Sequence, residues 1–314
     1  MKKKVLLVGA GPMAVDYAKV LKALKQEVTV VGRSSKSAVK FEKETGIEVV
    51  QGGINNWLAE SHQVLDKVIV AVSENLLGKV TRDLIHAGYR DILLEKPGGL
   101  TVADIREVST LANEKEANVY IGYNRRFFAS TVAAKEIIER DGGVTSFNFE
   151  FTEWGHSLEA SSIAPVILDE WFIQNSSHVI DQAFYVGGRP KELCSFVAGG
   201  SNWHPKGSVF SGAGISETGA LFSYNANWES AGRWWTEFLT KNNRIIMKPM
   251  EQVFIQKRGA IAVDKLEIDD EMDRLYKPGV FRQVEAYLQN ESKLMTIREQ
   301  VKMLPTYQKM IGAD

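Results

Sequence analysis

Six short apolar runs alternate with helical patterns at the start of this chain: Val5–Val8, Val28–Val31, Ile47–Val50, Val68–Val72, Ile92–Leu94 and Val119–Gly122. Runs this short and this continuous suit strands buried on both faces of a parallel sheet. Between the first two, Ala14, Tyr17, Ala18, Leu21 and Leu24 recur at helical spacing and give one apolar face. Stretches 75–87 and 101–116 read as further helices, the latter opened by Thr101 and Asp104 as a capping box. The interval between the third and fourth runs is looser. Strands alternating with helices mean βαβ units, so residues 1–121 are expected to form a doubly wound α/β domain of the Rossmann type.

Past residue 122 the pattern changes. Stretches 127–140 and 168–186 look helical, and 146–154, 192–197, 219–228, 233–239, 244–247, 252–257 and 261–268 read as strands without intervening helices. Phe147, Phe149 and Phe151 alternate in period two, as in a half-exposed antiparallel sheet. Helical patterns close the chain at 279–290 and 296–311, with Thr296 and Glu299 as a capping box and Pro305 expected to kink or end the last helix. Residues 122–314 therefore read as a second, α+β domain with an open, largely antiparallel sheet. The closing helix is expected to pack back on the first domain. A length of 314 residues fits two domains.

Composition narrows the partners. Thirty-eight Lys and Arg balance 39 Asp and Glu, a formal charge of −1, so no global field favours nucleic acid or an acidic membrane. No apolar run approaches the roughly 18 residues of a membrane span, and the apolar run after Lys2–Lys4 is too short for a secretory signal. A cytoplasmic protein is expected. Without export, the sequons at Asn175 and Asn290 are read as chance matches. The single cysteine, Cys194, excludes an internal disulfide and a multi-thiolate metal site and reads as a buried, inert thiol. No metal is expected.

The chemistry concentrates in a few places. Gly9-Ala-Gly11-Pro12-Met13-Ala14 follows the first strand and opens the first helix. The first glycine permits the tight turn, the second lets backbone approach a pyrophosphate, and Ala14 allows close helix–strand packing. The anion would sit on the helix N-terminus. NAD-selective folds usually place an acid at the end of the second strand. Here that strand runs into Gly32-Arg33-Ser34-Ser35-Lys36, with no carboxylate before Glu42. Arg33, Ser34 and Lys36 suit a 2′-phosphate, so NADP(H) is expected over NAD(H). Ser73 and Asn75, after the fourth strand, and Glu95, Lys96 and Pro97, after the fifth, complete the expected cofactor contacts at the carboxyl edge of the sheet.

With Glu95-Lys96-Pro97 in view, the chain resembles the glucose–fructose oxidoreductase, inositol dehydrogenase and MocA family over essentially its whole length. The resemblance rests on the Gly9–Ala14 turn, Glu95-Lys96-Pro97, Tyr123-Asn124-Arg125-Arg126-Phe127, and the helix bearing His178-Val-Ile-Asp181. It implies an NAD(P)-dependent oxidoreductase acting on CH–OH groups of sugars, polyols or nucleotide sugars, with a cis bond before Pro97. Lys96 is implied as proton relay, since alcohol oxidation needs a proton acceptor at the oxygen as well as a hydride acceptor at the carbon. Glu95, its neighbour on an extended strand, points the other way and reads as structural.

His178 is implied as a second catalytic residue. The family commonly places Asp four residues before this histidine, and this chain has Gln174, which can hydrogen-bond but carries no charge. Asp181 is either the residue that orients the ring or a helix-surface group. Tyr123, Arg125 and Arg126 are expected to shape the substrate site, the arginines either gripping an anion or bridging the domains. Trp154, His156 and Trp171 are candidates for a sugar cleft. Association through the open sheet, to a homo-oligomer, is expected from its uncovered face. Two other readings stand beside the dehydrogenase: a non-catalytic NADP(H)-binding regulator, favoured by Gln174, and a relative that uses bound nicotinamide as an internal relay for glycoside cleavage or epimerisation.

Overall fold

The computed structural model describes residues 2–60, 64–289 and 292–313. The chain divides into two units, Met1–Asn124 with Met272–Lys302 and Arg125–Glu271 with Met303–Asp314. The boundary near residue 121 is thus displaced by a few residues. Segment 272–302, assigned to the second domain from sequence, belongs to the first unit.

In the first unit the six apolar runs form β1 (Lys4–Val8), β2 (Glu27–Val31), β3 (Val49–Val50), β4 (Lys67–Val70), β5 (Asp91–Leu94) and β6 (Asn118–Ile121). All pair in parallel, in the order β3-β2-β1-β4-β5-β6. A short strand, Met295–Thr296, adds antiparallel to β6. Because the order reverses between β1 and β4, the loops after these two strands part and leave a crevice, the usual ligand position in such sheets. Val5 to Val8 and Val68 to Val70 are buried, as strands covered on both faces require.

The helices of this unit are α1 (Pro12–Ala23), α2 (Ser35–Thr45), α3 (Gly53–Glu60), α4 (Leu77–His86) and α5 (Val102–Glu114). α2 and α3 are absent from the sequence reading. In α2 only Ala38, Phe41 and Thr45 are buried, a stripe too narrow to stand out among lysines and glutamates. Its N-cap is Ser34, whose hydroxyl accepts the Ser37 N–H. At α5 the Thr101 hydroxyl accepts the Asp104 N–H. The shorter Asp104 side chain returns the bond to Leu100 N–H rather than to Thr101. The box at Thr296 closes reciprocally, with Glu299 accepting the Thr296 N–H and Thr296 accepting the Glu299 N–H.

The second unit holds α6 (Ala129–Arg140) and the strands β7 (Ser146–Glu150), β8 (Pro190–Ala198), β9 (Val209–Ser216), β10 (Leu221–Asn227), β11 (Trp235–Leu239), β12 (Asn243–Met247), β13 (Phe254–Lys257) and β14 (Asp264–Lys265). Their order is β14-β13-β12-β11-β7-β10-β9-β8. Every neighbouring pair is antiparallel except β7 with β10. β9 went unread in the sequence, and β14 is far shorter than the run 261–268. One face carries Phe147, Phe149 and Phe151 into the core, where Phe184 of helix Ser177–Gly187 meets Phe147 and Phe149 edge-on at 6.0 and 5.5 Å. Such contacts add to the area each ring buries.

The other face of β8 leaves Phe196 70% exposed. Cys194, on the same side of this edge strand, is exposed as well, which corrects the expectation of a buried thiol. Alternation on an edge strand with one uncovered face puts it outside. The last helix, Ile297–Met310, continues through Pro305 rather than ending there, at the expense of one backbone bond.

Candidate functional site

The turn after β1 is shaped by steric necessity. Gly9 has φ +124°, and a Cβ there would lie 2.1 Å from the Ala71 carbonyl oxygen beyond β4. Only glycine lets the two loops of the switch point approach this closely. Gly11 differs: a Cβ there would meet nothing within 4 Å, because it faces an open cavity. Gly11 is also the N-cap of α1, with no side-chain cap, and Pro12 supplies the first helical position. The helix therefore presents uncapped N–H groups to that space, the arrangement that holds a pyrophosphate.

The cavity measures about 430 Å³ and is lined by Gly9, Gly11, Pro12, Met13, Arg33, Ser34 and Ser73 among the residues expected from sequence. Ser37, Gly53 and Ile54, at the starts of the unread helices α2 and α3, also line it, as do Ala71, Val72 and Glu74 in the loop after β4. Ala14 is fully buried behind the turn. Lys36 and Asn75 are not among the lining residues. At the far end of the cavity, Arg33 and the Ser34–Ser37 turn form the start of α2, whose first turn holds no acid. That helix end adds a second set of anion-favouring N–H groups beside a guanidinium. The lining fits a dinucleotide.

Glu95, Lys96 and Pro97 follow β5 and are not part of that lining. The Lys96–Pro97 peptide is cis, as the resemblance implied. Glu95 faces inward: Tyr17 of α1 donates a 2.5 Å hydrogen bond to its carboxylate. Burial pushes the Glu95 carboxyl above the usual carboxylate range, against the pull of Tyr17 and Lys96. Gln300, missed in the sequence, donates from Nε2 both to the Pro97 carbonyl and to the Tyr123 hydroxyl, each at 3.0 Å. Tyr123, expected beside substrate, is 1% exposed and meets Gln300 through its hydroxyl.

In the second unit the two adjacent arginines have different fates. Arg126 forms a two-pronged pair with Asp181, Nε to Oδ2 at 2.8 Å and Nη2 to Oδ1 at 2.6 Å, and lies over Tyr185. Both Asp181 oxygens thereby accept from Arg126, and at 3% exposure Asp181 is not the helix-surface group that stood as one of its two alternatives. Arg125 instead lies 4.6 Å over the Trp234 ring. Burial lowers its pKa to about 10.

The helical stretch read as continuous from 168 to 186 is broken. A four-residue helix ends at Leu168, a π turn spans Phe172–Ser176, and a regular helix begins at Ser177. The Ser177 N–H reaches back to the Phe172 carbonyl, five residues earlier. π turns recur at functional positions, and the widened turn means the four-residue spacing of a regular helix does not apply between Gln174 and His178. Both are buried, 2% and 9% exposed, and the His178 ring lies 6.2 Å from Trp234.

Beside the π turn sits a group that sequence reading missed. Glu153, 2% exposed, accepts from Asn175 Nδ2 at 3.0 Å and Ser176 Oγ at 2.9 Å and faces Arg233 at 3.7 Å. Burial pushes its carboxyl up to about 6, against the pull of Ser176 and Arg233. Asn175 is thereby engaged within the unit, while the sequon at Asn290 lies outside the described residues. Arg233 is held between Trp154 at 4.7 Å and Trp234 at 4.8 Å. Trp154 is 51% exposed and donates to the Gly232 carbonyl. His156 is exposed, and Trp171 is half-buried.

Residues 3–123 match the family described as oxidoreductase family, NAD-binding Rossmann fold, the glucose–fructose oxidoreductase, inositol dehydrogenase and MocA group. The match covers the first unit's Rossmann sheet and glycine turn and leaves the second unit outside it. An uncharacterized oxidoreductase of Schizosaccharomyces pombe is 28% identical over 130 residues, 40% of this chain and 35% of that protein. The match thus spans about a third of that relative's length. Among solved structures, an oxidoreductase from Desulfitobacterium hafniense described as NADPH-dependent superposes with a TM-score of 0.80 at 16% identity, over 99% of this chain and 95% of that one. UDP-N-acetylglucosamine 3-dehydrogenase from Acidithiobacillus ferrooxidans superposes with a TM-score of 0.75 at 13% identity, over 100% and 98%. At such identities these likenesses show the fold alone. Among the described residues no helix is long and apolar enough to cross a membrane, and no cluster of three or more His, Cys, Asp or Glu could hold a metal.

Proposed function

We propose that this chain is a cytoplasmic oxidoreductase that prefers NADP(H) and acts on a hydroxyl or carbonyl carbon of a sugar, polyol or nucleotide sugar. The observation that carries the cofactor reading is the α1 cavity, with Gly11 open before an uncapped helix end and Arg33 and Ser34 at the far side. The bound nicotinamide supplies the hydride acceptor or donor. Lys96 holds the proton at the reacting oxygen, and His178 assists. Glu95 and Gln300 fix the segment that carries Lys96 from either side of the Pro97 turn. Tyr123 acts through Gln300 rather than on substrate. The uncovered sheet face around Phe196 is the proposed surface for a homo-oligomer.

Turnover tests this reading. Reduced-cofactor absorbance should change on adding a member of a sugar and nucleotide-sugar panel, and Lys96→Met should abolish that change with cofactor affinity nearly intact. Tight NADPH binding with no turnover on any substrate would instead favour a non-catalytic NADP(H)-binding regulator, the reading that Gln174 supports by standing where the family carries an acid.

A further inference from the structure

Two consecutive arginines open the second unit, and only one of them is satisfied. Arg126 has its carboxylate, gripped from two nitrogens. Arg125 makes no side-chain hydrogen bond and no ion pair among the described residues, and its Nε is shut away from solvent without a partner. What holds it is aromatic: Trp234 at 4.6 Å and Phe128 at 5.6 Å. A guanidinium stacked on an indole is fixed in orientation, while its planar donors remain available for an oxyanion. Desolvating a cation without an anion is costly, so this arrangement is built for a partner that arrives.

The surroundings support the same conclusion. Trp234 is shared by a second guanidinium, Arg233, whose other face lies on Trp154, so Arg125, Trp234, Arg233 and Trp154 form one ladder running toward the exposed Trp154. Acids nearby do not satisfy Arg125. Glu153 is engaged by Asn175, Ser176 and Arg233, and Glu251 acts on Arg125 from beyond ion-pair distance. The His178 ring also lies beside Trp234, 6.2 Å between centroids.

We propose that Arg125, backed by Arg233, is an anion-binding subsite of the second unit, and that the substrate it takes carries a carboxylate or a phosphate. This rests on the sugar-oxidoreductase reading for the nature of the rest of the ligand. Carboxylate and phosphate present the same planar or near-planar pair of oxygens to a guanidinium, and a sugar acid or a phosphorylated sugar would supply it.

The test uses the tryptophan emission of the full chain, since two indoles lie in the ladder. D-Glucose, D-glucuronate, D-glucose 1-phosphate and UDP-glucose are titrated into the wild type, Arg125→Met and Arg125→Lys, each checked for fold by circular dichroism. At least one anionic probe should bind about tenfold or more tighter than glucose. Arg125→Met should erase that preference and Arg125→Lys should recover part of it. Glucuronate against glucose 1-phosphate tells which oxyanion is read. Glucose binding as tightly as every anionic probe, or discrimination surviving in Arg125→Met, overturns the proposal. NADP+ reduction is followed in the same mixtures. Arg125-dependent discrimination without any redox change would keep the subsite and remove the oxidoreductase reading instead.

Discussion

The Tyr17 hydroxyl on α1 donates a 2.5 Å hydrogen bond to Glu95 at the end of β5, and the Gln283 amide donates to the same hydroxyl at 2.9 Å. The bond joins the helix that opens the glycine turn to the strand end that carries Lys96. Burial raises both groups' pKa values, so each needs the other. Tyr17→Phe removes the donor to a buried carboxyl and leaves the Gln283 amide without its acceptor. A loss of about 1–3 kcal/mol is expected, read as a lower urea midpoint at unchanged m-value.

The two glycines of the turn separate stability from binding. Gly9→Ala puts a methyl into the Ala71 carbonyl at a φ that alanine rarely adopts, and a large loss of stability is expected in urea. Gly11→Leu starts from a Cβ with no protein atom within 4 Å and extends into the cradle instead. It should unfold near the wild-type midpoint while losing more than about tenfold in NADPH affinity, about 1.4 kcal/mol. Calorimetric titration beside urea unfolding tells the two apart. Equal effects would mean that Gly11 does not face the cofactor.

Much of this was legible in the sequence, for a physical reason. Doubly buried strands leave continuous apolar runs, and the glycine turn has a steric requirement that few residue patterns meet. α2 was not legible because three buried residues carry its whole apolar stripe. The π turn was invisible because one added residue per turn leaves no compositional trace. Glu153 falls within the strand-like stretch 146–154, and its meeting with Asn175 and Arg233 depends on contacts 22 and 80 residues away along the chain. The run Arg233-Trp234-Trp235 carries the signal for the ladder, a cation beside indoles at the start of a strand-like stretch.

Cofactor choice should follow Arg33. Among the lining residues at the end of β2 the cation is Arg33, beside the Ser34–Ser37 turn. Arg33→Ala removes a charge-assisted contact worth about 1.5–3 kcal/mol. NADPH affinity should fall roughly ten- to hundredfold, with NADH affinity unchanged. Equal losses for both would place Arg33 on the shared part of the cofactor and remove the argument for NADP(H).

Glu153 should make stability depend on pH in a stated direction. Its folded carboxyl titrates at about 6, above the ordinary 4.5, so between these values the folded chain binds more protons than the unfolded one. Stability from this group therefore falls as pH rises through the window and stays low above 6. The difference amounts to about 2 kcal/mol. Glu153→Gln keeps an acceptor for Ser176 and carries no charge, so it should gain on the wild type by about that amount between pH 4.5 and 7.5. Urea midpoints of both proteins at these two pH values measure it, and contributions from every other carboxyl cancel in the comparison. A constant difference between the two proteins would mean that Glu153 is ionised in the fold at pH 4.5, held so by Arg233 and the donors of the π turn.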